Sequence, residues 1–512
     1  MRTMGSLAPL ELQQIHIGVG PRGYELTKHH NANPKTYAQE YHSYQAYLSS
    51  QCPLNLWPRS SHAAFCPRPI LINKQHQQQA LAIHNALSIA VTHIVERWWT
   101  DKEARFPQRM PLQKEEEELL QWLETRVSCG DLDPYFRCQG SWRPDFMIEE
   151  DESNCNGARE KFRITEINAR FSFNGLMHGA YGQKALENIV ATTNGLSSAV
   201  QADKLYEGAF SLAKADIPLH ILMEEEEGFD IHLFLEAAKR SRSATTRVVR
   251  PSDLRLIPDA QKEGGYRLCC LSDKSKDDCC LPRSAIFTTR DGETVEEIQQ
   301  VGVEMRQHEL HSIEPEILRQ ISLRCFNDMR TILLVHDKRI LGIVKQELRS
   351  LVERGLIYPN QARILDEAIV DTILPGSQEL KQLLQQCKLS PTLKDGYVMK
   401  PVRDGKGAGI VFGENFTPDE WISALEPLQS PELVRGTNSI VQRRVVPRLY
   451  DVVLGASGER VRYPIYGTYH SINGEFLGLG VWRSTDDPVC ANTRGGSCMC
   501  SVIDSGATES HV

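Results

Sequence analysis

Several features that define whole protein classes are missing from this sequence of 512 residues. No stretch approaches the roughly 18 consecutive apolar residues of a membrane-spanning helix, and the N-terminus, MRTMGSLAPLELQQIHIGVG, lacks the apolar core of a signal peptide. The formal net charge is −8, whereas a general nucleic-acid binder presents a basic surface. We therefore expect a cytoplasmic protein whose partners are neither membranes nor nucleic acids.

The sequence also lacks a regular zinc-binding pattern, although it has 14 cysteines. Cys269-Cys270 and Cys279-Cys280 flank the charged segment LSDKSKDD. Adjacent cysteines hinder simultaneous tetrahedral ligation of one ion, so a zinc clip is only an alternative here. Free thiols are the simpler interpretation for a cytosolic protein.

The composition is globular, with 41% hydrophobic and 24% charged residues. A chain of this length exceeds one hydrophobic core, so two or three subdomains are expected. Residues 1–75 read as irregular, and apolar residues at helical spacing then predict helices over His76–Trp99 and Leu112–Val127. The acidic run Glu115–Glu118 is expected to be a solvated face near the start of the second helix.

Strand and helix patterns alternate further along the chain. Pro218–Met223 and Thr246–Val249 read as strands, with the helix Phe229–Lys239 between them, which predicts a parallel, doubly wound sheet. A mostly helical segment is predicted over Gln183–Val200 and an apolar strand over Thr331–His336.

The last part of the sequence is richest in strand patterns. Lys345–Glu353 predicts one more helix, and Ser439–Val446 alternates as a strand does. Tyr463–Trp482 predicts a hairpin that turns at Asn473-Gly474. The last twenty or so residues, rich in Gly, Ser, Cys and Thr, read as loosely ordered.

Two neighbouring strand patterns carry a candidate metal site. The segments WRPDFMI and RITEINARF alternate apolar and polar residues, and EEDESNCNGAREK between them predicts a hairpin with a long solvated tip. Asp145 lies on the first strand, while Glu166 and Asn168 are two apart on the second and therefore share a face. Three oxygen donors suit Mg²⁺. An edge hairpin with ordinary salt bridges is the alternative.

Two arginines accompany these oxygen donors. Arg143 and Arg170 share the same faces by strand parity. Guanidinium groups suit a phosphoryl group that is being transferred. Pairing with the neighbouring carboxylates is the alternative.

A candidate phosphate-binding segment, YVMKPVRDGKGAGIVFG, lies far downstream and predicts a strand, a flexible loop and a second strand. Lys400 and Lys406 supply positive charge. Glycines let backbone N–H groups approach phosphate oxygens, and the loop has three of them: Gly405, Gly407 and Gly409. The spacing is not that of a Walker A loop. A plain hairpin with a glycine turn is the alternative.

Together these segments resemble the ATP-grasp superfamily, whose members join a carboxylate to an amine through an acyl phosphate. The usual order places the lysine and glycine loop before the metal strand, whereas here Glu166 lies far upstream of Lys400. This inversion resembles the circularly permuted branch that includes glutathionylspermidine synthetase. That branch also has an Arg-x-Asp motif, matched by Arg143-Pro144-Asp145, and a second nucleotide lysine, matched by Lys338 in HDKRIL.

The resemblance implies a circularly permuted α/β ATP-grasp fold with a doubly wound subdomain and a mainly helical N-terminal region. The expected divisions are a helical region that contributes to the substrate pocket (1–130), the metal-binding part of the core (131–200), a Rossmann-like subdomain (201–345), and the lysine and glycine-loop lid with the rest of the core (346–512).

The resemblance also implies an activity, the ATP-dependent joining of a small-molecule carboxylate to an amine. Arg143 and Arg170 would hold the acyl phosphate, and Gln442 would line the adenine pocket. Mg²⁺ and ATP are the implied cofactors, with Asp145, Glu166 and Asn168 as metal ligands and Lys338, Lys400, Lys406 and the three loop glycines at the phosphates. A phosphotransferase on the same fold and an inactive nucleotide-binding protein are the alternatives.

Overall fold

The structure is a computed structural model that describes residues 11–20, 23–29, 33–149, 160–193, 195–225, 230–241, 246–272, 286–433, 438–490 and 495–505. Its α-helices are α1 (Pro34–Gln51), α2 (Lys74–Glu96), α3 (Phe106–Arg109), α4 (Lys114–Cys129), α5 (Leu176–Val190), α6 (Ala202–Ser211), α7 (Ile231–Ser241), α8 (Gln307–His311), α9 (Pro315–Ser322), α10 (Arg339–Glu353), α11 (Pro359–Ala368), α12 (Gln378–Leu389) and α13 (Pro418–Leu425).

The strands of the described residues form six sheets. They are β1 (Gln13–Ile17), β2 (Tyr24–Leu26), β3 (Ile70–Ile72), β4 (Ser141–Ile148), β5 (Phe162–Asn168), β6 (Leu196–Ser198), β7 (Leu219–Met223), β8 (Thr246–Val249), β9 (Leu254–Pro258), β10 (Tyr266–Leu271), β11 (Ile286–Thr288), β12 (Thr294–Glu297), β13 (Gln300–Glu304), β14 (Thr372–Ile373), β15 (Tyr397–Pro401), β16 (Val411–Phe412), β17 (Ser439–Arg443), β18 (Leu449–Val453), β19 (Arg460–Pro464), β20 (Tyr466–Ile472), β21 (Glu475–Leu479), β22 (Trp482–Ser484), β23 (Ser497–Met499) and β24 (Ser501–Asp504).

The two ends of the chain meet in one five-stranded sheet of order β2-β1-β3-β24-β6. The prediction of irregular structure is therefore wrong for the described part of residues 1–75, and that of a loosely ordered C-terminus is wrong for residues 495–505. Residues 1–10 and 506–512 lie outside the described residues. The sequence pattern did not indicate β3, because this strand has only three residues and all of them are buried, so hydrophobic and polar residues do not alternate along it. Its parallel partner β24 supplies Val502 opposite Leu71, a pairing between opposite ends of the sequence.

Two long helices of the N-terminal region follow the predicted positions. Asn73 begins α2 because its side chain accepts a hydrogen bond from the His76 N–H. The predicted second helix is α4, which buries Leu119, Leu120 and Leu123. The acidic run at its start is only partly a solvated face, since Glu116 is buried.

The middle of the chain contains the predicted parallel sheet, of order β13-β7-β8. Strands β7 and β8 pair in parallel with α7 between them, as the strand–helix–strand pattern predicts. The helical prediction over Gln183–Val200 is wrong at its end, because α5 ends at Val190 and β6 follows.

The paired cysteines lie near this sheet. Cys269 and Cys270 are adjacent residues of β10, both buried as free thiols, and they point to opposite faces of the strand. Burial raises the pKa of each thiol to about 12. Cys279 and Cys280 lie outside the described residues, so the zinc alternative stays a prediction.

The predicted metal hairpin is the pair β4–β5, at one edge of the sheet β23-β22-β20-β4-β5. Most of its predicted tip lies outside the described residues. The second predicted hairpin, β20–β21, turns at Asn473 and Gly474, which both have positive φ, at 46° and 81°. This is the backbone form that an Asn-Gly turn favours.

A separate four-stranded sheet, β14-β17-β15-β16, carries the glycine-rich loop between β15 and β16. Helices α12 and α13 cover it and form a small core of their own around Trp421, Leu380 and Leu383. The lysine and glycine loop therefore belong to a layer that packs separately from the main core.

The strand predicted over Thr331–His336 is wrong, because Thr331–Val335 forms one π-helical turn. All five of these residues are buried, and a short apolar run buried on every side cannot distinguish strand from helix. Lys338 therefore does not follow a strand. It is the residue that immediately precedes α10.

The described helices also bear on membrane association. None of them combines the length and the apolar composition that crossing a bilayer requires.

Candidate active site

The predicted metal ligands lie on one face of the β4–β5 hairpin. Asp145 pairs directly with Glu166 in the strand register, and Arg143 pairs with Asn168. Directly opposed residues on antiparallel strands share a face, so all four side chains point the same way. This face lines a cavity of about 430 Å³.

Asp145 is held by two arginines. Arg143 Nε donates to Asp145 Oδ1 at 2.9 Å, and Arg483 Nη2 donates to Asp145 Oδ2 at 2.6 Å. Arg143 also donates to the Asn174 carbonyl at 3.0 Å. Pairing with the carboxylates, which the sequence left open for Arg143, is therefore present, and a metal at Asp145 would compete with two guanidinium groups.

Glu166 lies among cations. Lys338 Nζ is 3.3 Å from Glu166 Oε2. Burial by itself raises the pKa of Glu166, but Lys338, Lys400 and Arg143 outweigh it and lower the pKa to about 2. The carboxylate is therefore ionised at any ordinary pH, as a metal ligand or an ammonium partner must be.

Asn168 completes this face. Its side-chain nitrogen is buried without a hydrogen-bond partner among the described residues. A buried amide with an unused group is a costly feature that a ligand can relieve, and an amide can turn to present its oxygen. Glu166 and Asn168 therefore fit a hard cation that takes its other ligands from phosphate and water.

Lys400 approaches the same carboxylate from the second sheet. Its ammonium group donates to Gln442 Oε1 at 2.7 Å, and Gln442 Nε2 donates to Thr372 Oγ1 at 2.9 Å and to the Thr165 carbonyl at 3.2 Å. Burial, with a further contribution from the positive charge of Lys338, lowers the pKa of Lys400 to about 8. Gln442 therefore ties the lysine strand to the metal hairpin.

The glycine-rich loop is joined to Lys338. Lys338 Nζ donates to the Asp404 carbonyl at 2.7 Å, and its backbone N–H donates to the Val402 carbonyl at 2.9 Å. Gly407 and Gly409 have positive φ, at 70° and 68°, which favours glycine. A side chain at Gly407 would collide with Val489. Lys338 and Lys400 both lower the pKa of Glu166, so the two predicted lysines lie at one site although they come from separate segments.

The structure brings the predicted residues to one place. Arg170 is buried with its guanidinium 4.6 Å from the centre of the Phe171 ring. Lys338, Lys400, Gln442 and Gly409 are not among the residues that line the cavity. Lining the cavity are Arg143, Asp145, Glu166, Asn168, Arg170, Gly405, Lys406 and Gly407.

Four histidines that line the cavity were missed by sequence reasoning: His178, His308, His336 and His470. Three of them, His178, His336 and His470, are buried. Burial is the main cause that lowers their pKa values, to about 4 for His178, well below the ordinary value for His336, and to about 3 for His470. All three are therefore neutral in the free protein. They come from three separate segments with no shared spacing, so no local signal in the sequence could have found them.

A carboxylate and an amide on one strand of the hairpin, facing a lysine strand and a glycine-rich loop from a second sheet, are the arrangement that the resemblance to the ATP-grasp superfamily implies. The comparisons with known proteins agree. A family model described as the AnkG N-terminal domain matches residues 83–334. The chain is 34% identical over 440 residues to the ATP-grasp enzyme ankG of Aspergillus thermomutatus. The aligned region covers 85% of this chain and 88% of that protein.

The chain belongs to the ATP-grasp family, in which ankG is its relative. A glutathione synthetase-like effector from Globodera pallida, solved in its apo form, has a TM-score of 0.50 and 12% identity, covering 92% of this chain and 98% of that one. That likeness concerns the fold. The predicted family and α/β class are confirmed, and membership implies an enzyme of the ligase type that uses ATP.

Proposed function

We propose that the protein is an ATP-dependent carboxylate–amine ligase that forms an amide through an acyl phosphate and releases ADP and phosphate. One observation carries this proposal. Lys338 connects the Glu166 carboxylate of the metal hairpin with the Asp404 carbonyl of the glycine-rich loop. Both halves of a phosphoryl-transfer site therefore meet at a single ammonium group.

Different groups of the chain would contact different parts of the nucleotide phosphates. Lys338 and Lys400 neutralise phosphate charge, and the loop from Gly405 to Gly409 covers it with backbone N–H groups. Glu166 and Asn168 would hold Mg²⁺, which would supply further positive charge to the phosphates. Catalysis of phosphoryl transfer is mainly positioning and charge stabilisation, which this set of groups can supply.

Two arginines are assigned to the activated carboxylate. Arg143 is fixed by Asp145 and the Asn174 carbonyl, so its orientation is set before any substrate arrives. Arg170 lines the same cavity. Guanidinium groups recognise phosphate and carboxylate oxygens, and they would hold the acyl phosphate while the amine attacks. Closure of the loop would exclude the water that otherwise hydrolyses this intermediate.

The size of the cavity supports small-molecule substrates. Its volume of about 430 Å³ lies within the range of roughly 300–1,000 Å³ that is usual for small-molecule sites. Among the described residues, all those that line this cavity lie between Arg143 and Cys490, and none comes from residues 1–130. A contribution of residues 1–130 to the substrate pocket stays a prediction.

The test is an ADP-release screen over amino acids, polyamines and small carboxylates, with mass spectrometry of the product. With the carboxylate alone, added hydroxylamine should trap a hydroxamate while ADP accumulates. With the amine partner, ADP, phosphate and amide should form in equal amounts. A stable phosphorylated product would instead establish the phosphotransferase alternative.

A further inference from the structure

The root of the glycine-rich loop is fixed by a buried arginine. Arg403 directly precedes the loop residues, and its side chain is buried. Its Nη1 donates to Glu116 Oε1 at 2.6 Å, its Nε donates to Asp337 Oδ2 at 2.9 Å, and its Nη2 donates to the Leu333 carbonyl at 3.3 Å. All three nitrogens of this guanidinium group therefore donate hydrogen bonds, which hold the side chain in one orientation.

Glu116 connects the loop root to the N-terminal region. It lies in the first turn of α4 and is only 3% exposed. Its second oxygen, Oε2, accepts the Gln113 N–H at 3.1 Å, and His311 Nε2 lies 2.9 Å from Oε1. Burial opposes ionisation of Glu116, but Arg403 and His311 outweigh burial and lower its pKa to about 2. The Glu116–Arg403 pair therefore stays charged at working pH.

Asp337 connects the same root to the phosphate lysine. Arg339 holds it at both oxygens, with Nε 3.0 Å from Oδ1 and Nη2 2.7 Å from Oδ2. Arg339 also donates to the Pro111 carbonyl at 2.9 Å, a second link to the N-terminal region. The next residue after Asp337 is Lys338, so the network ends at the ammonium group that meets Glu166.

This network balances two carboxylates against two guanidinium groups away from water. Removing one member of a buried ion pair leaves an uncompensated charge, so the remaining groups must rearrange. The group with freedom to move is Arg403, since Arg339 and Asp337 also bind each other. Loss of Glu116 is therefore expected to release the loop root and to leave the rest of the network in place.

We propose that Glu116 is a positioning residue for the reaction: through Arg403 it fixes the root of the glycine-rich loop and so aligns the loop over the phosphates of ATP. The proposal rests on the proposed function, because it assigns the loop to ATP. It also gives the N-terminal region a role in catalysis that does not require it to touch a substrate.

The test compares Glu116→Gln with Glu115→Gln, a matched control on the exposed face of the same helical turn. Glu116→Gln should raise the KM for ATP by about tenfold or more, the scale seen when a group that orients a binding residue is lost. It should also release more ADP than product, because a loosely held loop admits water. Glu115→Gln should match the wild type in both measurements.

A purely structural role would give a different result. It would lower the amount of active enzyme and leave the KM for ATP and the ratio of ADP to product unchanged, and that outcome overturns the proposal. If Glu116→Gln does not fold, Arg403→Lys serves instead. It keeps the charge but loses the planar fork, so it should show the same raised KM and the same excess of ADP.

Direct calorimetry of ATP binding separates this inference from the proposed function. Wild-type protein that binds no ATP would contradict the proposed function itself. Wild-type protein that binds ATP, beside a folded Glu116→Gln protein that binds ATP equally well and keeps equal amounts of ADP and product, would contradict only the positioning role.

Discussion

Lys338 Nζ and the Glu166 carboxylate lie 3.3 Å apart, and this contact joins a helix start to the metal hairpin. In the free protein each group neutralises the other. Under the proposed function, a nucleotide with its metal would replace this pairing, because phosphates attract an ammonium group and a cation attracts a carboxylate.

The first prediction concerns Glu166. Glu166→Ala should lower ADP release by a factor of about 10² or more, a scale typical for loss of one preorganised electrostatic group. The fold should survive, since the residue lines a cavity and is not part of the hydrophobic core. Steady-state ADP release and circular dichroism check the two halves of this prediction. Wild-type turnover in a folded Glu166→Ala protein would refute the metal assignment.

The second prediction concerns the pH dependence of ATP binding. Burial lowers the pKa of Lys400 to about 8, so its ammonium group is half deprotonated near that pH, is almost fully present below about pH 7 and is lost as the pH rises further. Phosphate favours the charged form, so ATP affinity should be constant below about pH 7 and should fall as the pH rises through 8. Calorimetry near pH 8 should also show proton uptake on binding.

Lys400→Arg is the matched control for this pH effect. A guanidinium group stays charged throughout this range, so the fall in ATP affinity and the proton uptake should both disappear. An unchanged pH profile in Lys400→Arg would assign the titration to another group.

The third prediction concerns Gln442, which links three partners across two sheets. Gln442→Leu should raise the KM for ATP, because Lys400 loses the acceptor that orients it. It should also lower the free energy of unfolding by about 1–3 kcal/mol, since buried polar groups lose their hydrogen-bond partner. Thr372→Val removes one of these bonds, together with the bond that Thr372 Oγ1 donates to the Val370 carbonyl, but it keeps the contact of Gln442 with Lys400 and should therefore leave the KM almost unchanged. An equal rise of the KM for ATP in the two variants, measured beside their urea unfolding, would contradict the assignment.

The sequence could predict the features of this site that depend on neighbouring residues, but not those that depend on contacts between distant segments. The two-residue period of a strand is fixed by geometry, and it placed Glu166 and Asn168 on one face correctly. Which residues of distant segments meet is decided by tertiary packing. Arg483 reaching Asp145, the cavity histidines and the buried pairing of Glu116 with Arg403 therefore carry no local signature. The strand prediction for the apolar run Thr331–His336 was wrong for a related reason, because full burial removes the periodicity that distinguishes a strand from a helical turn.

The last prediction uses two glycines of the same loop. Gly407 has a φ of 70° and a side chain there would collide with Val489, whereas Gly405 has no atom near its potential Cβ. Gly407→Ala should therefore disturb the loop by about 1–2 kcal/mol from backbone strain alone, with the collision in addition. Its kcat/KM for ATP should fall at least tenfold, while Gly405→Ala should have a clearly smaller effect. Val489→Ala combined with Gly407→Ala should restore part of the activity, because it removes the collision but not the strain. Equal losses in the two alanine variants, with no recovery in the double variant, would show that the conformation of this loop does not govern ATP use.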